Sequence, residues 1–234
     1  MTLFQATSRR LFASVLYCAV ASSALADEAM IGKAKIALPV PEGQCKMETS
    51  NPSDAAMIAA IKRGLEGHNI LLAMYTECNE LKDWHEGKRK LLDNFVQVQT
   101  LEAYADRELP MTPEQAAKDV CDSMRADGAA IAPDLRKDLD SGIARISKSI
   151  KLNETRLLGV LAEEPRVCYA GLVEKLSTEA GSEKVIVAVY GTTLLKGKVI
   201  YHYLFAPDAG AGTAEKLLEA EKRHVAAFLA ANAN

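Results

Sequence analysis

Residues 184–206 read KVIVAVYGTTLLKGKVIYHYLFA. Val185 to Tyr190 is continuously apolar, and a second apolar run follows from Val199. Between the runs, Lys196-Gly197 is a hairpin signal. In the second run Val199, Tyr201, Tyr203 and Phe205 share one face, while Ile200, His202 and Leu204 hold the other. A hairpin apolar on both faces belongs in the middle of a layered structure, not in a sheet with one wet face.

Working outward, two more strand-like runs precede this pair, at roughly 154–163 and 167–178. The hairpin strands themselves are expected at 184–194 and 197–206. A helix should follow from about Thr213 to Ala231, docking through Leu217, Leu218, Val225, Phe228 and Leu229. Thr112-Pro113-Glu114-Gln115 is a capping box with proline at the first helical position. A second helix is expected near Pro133, with Leu135, Leu139, Ile143, Ile146 and Ile150 as its stripe. Asn51-Pro52-Ser53-Asp54 starts an earlier helix that Gly67 ends. Residues 69–76 read as a buried strand followed by a short helix to Gly87. Residues 94–101 read as a half-exposed strand, with Val96 and Val98 facing in and Gln97 and Gln99 facing out. Strands paired in hairpins, with helices before and after them, predict an α+β fold. It is an antiparallel sheet sandwiched with helices, in a single domain over residues 36–234.

The first 26 residues carry an address. Arg9 and Arg10 precede an apolar run from Leu11 to Leu25, which ends in Ala24-Leu25-Ala26. This is the pattern of a secretory signal peptide cut after Ala26. Its apolar run is too short for the roughly 20 residues that span a bilayer. Ser8-Arg9-Arg10-Leu11-Phe12 is similar to the twin-arginine export motif, with an ordinary secretory signal as the alternative. Residues 27–35 are expected to be a polar leader, and Leu38-Pro39-Val40-Pro41 an extended strap.

Residues 1–26 hold two arginines and no acid, so their removal leaves 208 residues with a net charge of −5. Such a chain can bury a core without a metal. It has no basic run for nucleic acid or anionic lipid. Four cysteines remain, and four cysteines in an exported chain point to disulfides with three possible pairings. We expect Cys45–Cys78, with Cys121–Cys168 as the complementary pair. Cys121 lies on an apolar helix stripe, so a buried free thiol is its alternative.

A Leu-Pro-x-Pro stretch at 38–41, the Gly-Thr-Thr-Leu-Leu-Lys-Gly-Lys-Val-Ile-Tyr hairpin at 191–201 and a last helix ending Ala230-Ala231-Asn232 together resemble PsbP-like proteins. That group includes envelope proteins of Gram-negative bacteria. The resemblance implies an α/β sandwich and a binding or assembly module more than an enzyme, and it carries over no functional residue.

The chain has no Gly-x-Ser-x-Gly, no His-Glu-x-x-His, no Walker loop and no Ser-x-x-Lys. No metal or cofactor is expected. His202 reads as a satisfied core histidine, and His85 as a surface residue beside Glu86. Tyr190, Tyr201, Tyr203 and Phe205, with His202 beside them, are the candidate ligand-binding residues, core filling being the alternative. The leading expectation is therefore a periplasmic or secreted, disulfide-stapled binding module. Its partner would be an envelope protein or a small apolar ligand. The rival is an envelope hydrolase using scattered His, Asp and Glu residues.

Overall fold

The computed structural model describes residues 27–179 and 181–233. The expected signal peptide lies outside them. In chain order the elements begin with β1 (Asp27–Ile31), β2 (Ala34–Leu38) and β3 (Gln44–Lys46). There follow α1 (Pro52–Leu65), β4 (Asn69–Glu77), α2 (Cys78–His85) and β5 (Phe95–Leu101). A short 3-10 helix (Glu102–Tyr104) leads to α3 (Pro113–Ile146). The chain continues through β6 (Ile150–Glu164), β7 (Val167–Thr178), β8 (Glu183–Leu195), β9 (Lys198–Pro207) and α4 (Thr213–Ala231).

Seven strands form one antiparallel sheet in the order β3-β4-β5-β9-β8-β7-β6. The α+β sandwich is as expected, and β9 is its middle strand. Lys196 and Gly197 turn the central hairpin with φ of 50° and 72°. That double left-handed conformation matches the twist of the strands it joins.

Alternation divides the sheet into two faces. Val96, Val98, Ile200 and Leu204 point to one. There they meet Ile31, Ile36 and Leu38 of the β1–β2 hairpin and Phe228 of α4 in a single buried cluster. Asn232 ties the two covering elements together. It accepts from the Ala37 amide at 2.8 Å and donates to the Ala37 carbonyl at 2.9 Å. The other face lies under α1, α2 and α3, with Met47, Ile58, Leu71, Met74 and Leu81 packed near α1 and α2.

Two helix starts follow the sequence signals. Asn51 accepts from the Ser53 and Asp54 amides, and Thr112 with Gln115 forms a reciprocal capping box. Both disulfides form, with Cα separations of 4.8 Å for Cys45–Cys78 and 5.5 Å for Cys121–Cys168. The first joins β3 to the start of α2. The second pins α3 to β7.

Four expectations are corrected. The polar leader is not a leader: residues 27–31 form β1, paired with β2 from Asp27 opposite Leu38 to Ile31 opposite Ala34. Its inward residue Ile31 is buried while Met30 beside it is exposed. Five residues were too few to declare that alternation. The two helices expected over 113–150 are one helix of 34 residues with Pro133 inside it. A proline there removes a hydrogen bond and crowds the preceding turn. Packing on both sides of it holds the helix, through Cys121 at one end and Gly142 at the other. Ile150, placed on the helix stripe by the sequence, opens β6 instead. Finally, β5 is buried throughout Val96–Thr100. Its glutamines are buried in the sheet, and one is bonded to the other. Gln99 donates to Gln97 at 2.7 Å and accepts from Asn69 at 2.8 Å.

The sheet's outer strands are irregular. β3 has three residues, and β6 pairs with β7 through three register shifts, one of them at Gly159 with φ of 78°.

Candidate functional site

The register of the central strands builds a ladder of rings on the helix-covered face. Tyr190 of β8 stands opposite Tyr203 of β9, and Phe205 of β9 opposite Phe95 of β5. Ring centroids are 5.0 Å apart for Tyr190 and Tyr203, 5.9 Å for Tyr201 and Tyr203, and 5.8 Å for Tyr203 and Phe205. Phe95 and Phe205 stack at 4.5 Å. The five rings form a continuous floor, and each is only partly buried.

The helices leave this floor between them. α1 packs on β4, to one side of β5 and β9, while α3 packs on β6, β7 and β8. The two helices meet where Gly64 faces Gly142. A Cβ on Gly142 would lie 2.9 Å from the Gly64 carbonyl oxygen. Arg145 closes the crossing by donating to that oxygen at 2.9 Å. Met124 of α3 touches the floor, its sulfur 3.9 Å from the Tyr190 hydroxyl.

The phenols of this group stay neutral across the ordinary pH range. Burial, with Tyr201 beside it, pushes Tyr190 up to about 12. Burial raises Tyr201, and burial together with Tyr190, Tyr201 and Glu174 raises Tyr203 well above its usual value. Glu174 of β7 points to the same sheet face. It is 8% exposed, and among the described residues no hydrogen bond or ion pair reaches it. Burial alone pushes its carboxyl up to about 7. Opposite it on β6, the Thr155 hydroxyl is buried without a partner among the described residues.

Of the sequence candidates, Tyr190, Tyr201, Tyr203 and Phe205 come together and His202 does not. Alternation turns His202 to the opposite face, under α4. There its Nδ1 lies 2.9 and 3.0 Å from the Glu221 oxygens. The Gly191 amide donates to the same carboxylate at 3.2 Å. Burial raises the Glu221 carboxyl, opposed by His202 and by that amide. His224 sits edge-on to His202 at 6.0 Å, pushed down to about 4 chiefly by burial. This closed pair is structural and no part of the floor.

Sequence reasoning missed Phe95, Glu174 and the partner of His85. Glu174 was visible only as one acid inside the apolar run of β7. His85 Nε2 stands 2.8 Å from Asp54 Oδ1. Asp54 is buried and also accepts from the Glu48 amide at 3.0 Å. These residues come from α2 and α1, far apart in the chain.

Two surface hollows lie elsewhere. One of about 410 Å³ is lined by Lys46, Glu48, Lys62 and Met74 among others, and one of about 380 Å³ by Pro207, Thr213 and Lys216 among others. Both are open to solvent, and neither has a histidine in its lining. Among the described residues no group of three or more His, Cys, Asp or Glu side chains is placed to hold a metal ion. None of their helices is long and apolar enough to cross a membrane.

No family model matches this chain, and no curated protein or solved structure is significantly similar to it.

Proposed function

We propose that this protein is an exported binding module of the cell envelope that seats a small, apolar-bodied ligand on the Tyr190–Tyr201–Tyr203–Phe205 floor. The observation that carries the reading is the convergence of these rings, with Phe95, on one partly open stretch of sheet between α1 and α3. Rigid aromatic surface supplies contact area at low entropic cost, and neutral phenols supply orienting donors. Two disulfides favour an oxidising compartment, and with the secretory signal read from residues 1–26 they support the periplasm. A sheet sandwiched between helical layers also suits the resemblance to PsbP-like proteins.

A second reading, an envelope hydrolase, draws on one observation: exposed His85 paired with buried Asp54. A buried carboxylate orients such a histidine for acid–base work. Among the described residues no serine or cysteine nucleophile is bonded to His85, so we place this reading second.

The test pairs a thermal-shift screen of lipids, peptides and small metabolites with a hydrolase panel. Binding should weaken in Tyr190→Phe, Tyr201→Phe or Tyr203→Phe while each variant keeps its melting temperature. Turnover that disappears in His85→Ala would replace binding by hydrolysis.

A further inference from the structure

We propose that the aromatic floor is selective for an organic cation, an amine or quaternary ammonium group on an apolar body, with Glu174 as its counter-charge. The proposal rests on the binding reading above and gives it a ligand class.

The register locates the carboxylate. Leu172, Ala188, Phe205 and Phe95 form one row across β7, β8, β9 and β5. Glu174, Ile186 and Pro207 form the next row on the same face. Glu174 therefore shares the floor's face, one row beyond Phe205 and two strands across from it. Its influence on the Tyr203 phenol has the same origin.

Among the described residues this carboxylate has no countercharge. Its cross-strand neighbours are Thr155 and Ile186. Nearby Lys175 turns to the other face and pairs with Glu183 at 2.9 Å, and Lys184 is bonded to Asp93. The Gln99 amide donates to the Gln97 carbonyl oxygen. A buried carboxylate without a partner is costly, and an incoming cation removes that cost. Tyrosine and phenylalanine faces carry negative potential and attract cations directly. A hard metal ion would need several oxygen ligands, and one carboxylate does not supply them.

Titration calorimetry on the purified protein at pH 8 tests this with 2-phenylethylamine and its uncharged counterpart 2-phenylethanol. We expect the amine to bind at least about tenfold more tightly. Glu174→Gln should remove most of the amine's advantage and leave the alcohol unchanged. Equal affinity of the two ligands for the unmodified protein overturns the cation inference and leaves an apolar binding floor standing. A Glu174→Gln protein that folds and prefers the amine as strongly as the unmodified protein also overturns it. Failure of both ligands to bind overturns the floor reading as well. The comparison on unmodified protein decides the matter even where the variant does not fold.

Discussion

His202 of β9 and Glu221 of α4 meet with both carboxylate oxygens within 3.0 Å of the imidazole Nδ1, and both residues are sealed from solvent. The pair clamps the last helix to the middle strand. Removing one member of a buried pair leaves the other without its partner, and the Gly191 amide alone cannot replace it. His202→Ala should cost on the order of 3 kcal/mol in urea unfolding. His202→Gln retains a donor and should cost less. Ligand binding should be unchanged in the fraction that stays folded.

Glu174 and His224 set opposing pH dependences. A carboxyl near 7 in the fold and near 4.5 in the unfolded chain binds more protons when folded. Its contribution is fully present below about pH 4.5 and is lost as the pH rises to 7. By size of shift this is on the order of 3 kcal/mol. His224, at about 4 instead of 6.5, binds fewer protons when folded. Its contribution is present above 6.5 and lost as the pH falls toward 4. In the range they share, each masks the other. Denaturation across pH 4–8 should show Glu174→Gln gaining relative to the unmodified protein on the alkaline side. His224→Gln should gain on the acid side. Difference curves without these slopes would refute the assignments.

Gly142 and Gly128 both lie in α3 and should respond oppositely to alanine. At Gly142 the new Cβ would press on the Gly64 backbone, which cannot turn aside. A loss of about 1–3 kcal/mol is expected, with weaker binding on the floor that α1 and α3 flank. At Gly128 the nearest atom is Leu157 Cδ2 at 3.5 Å, an ordinary contact. There alanine should stabilise the helix by up to about 1 kcal/mol. Thermal melts of the two variants measure the contrast.

Reduction should destabilise the protein in two separable steps. The bridges close loops with sequence separations of 33 and 47 residues. In the loop-closure account each contributes roughly 4 kcal/mol. Paired Cys121→Ser and Cys168→Ser changes should free α3 from the sheet and expose its amides to hydrogen exchange. Loss of Cys45–Cys78 should affect β3 and α2 instead.

Local signals carried much of this architecture. Two apolar runs around Lys196-Gly197 announced a central hairpin, and the bounds of α4 were readable from its stripe. Caps at Asn51 and Thr112 marked helix starts because their side chains act within a few residues. What stayed hidden depends on distant packing. Gln97 and Gln99 look solvent-facing by alternation, yet both are buried in the folded sheet. Pro133 looks like a break until tertiary contacts hold both sides of it. The four candidate rings were visible through alternation, whereas His202, grouped with them as a candidate, is carried by the same alternation to the opposite face against Glu221. Nothing local to Glu174 indicates that no cation among the described residues reaches it, and Asp54 meets His85 only through the arrangement of α1 and α2.

The uneven outer strands bear on self-association. A free strand edge is a template on which another chain can extend the sheet indefinitely. Here one margin offers three residues held beside a disulfide. The other is long but changes register three times, so an incoming strand would fall out of step within a few residues. Growth into fibres is thereby obstructed at both ends of the sheet, even with seven strands of largely apolar sequence in one layer.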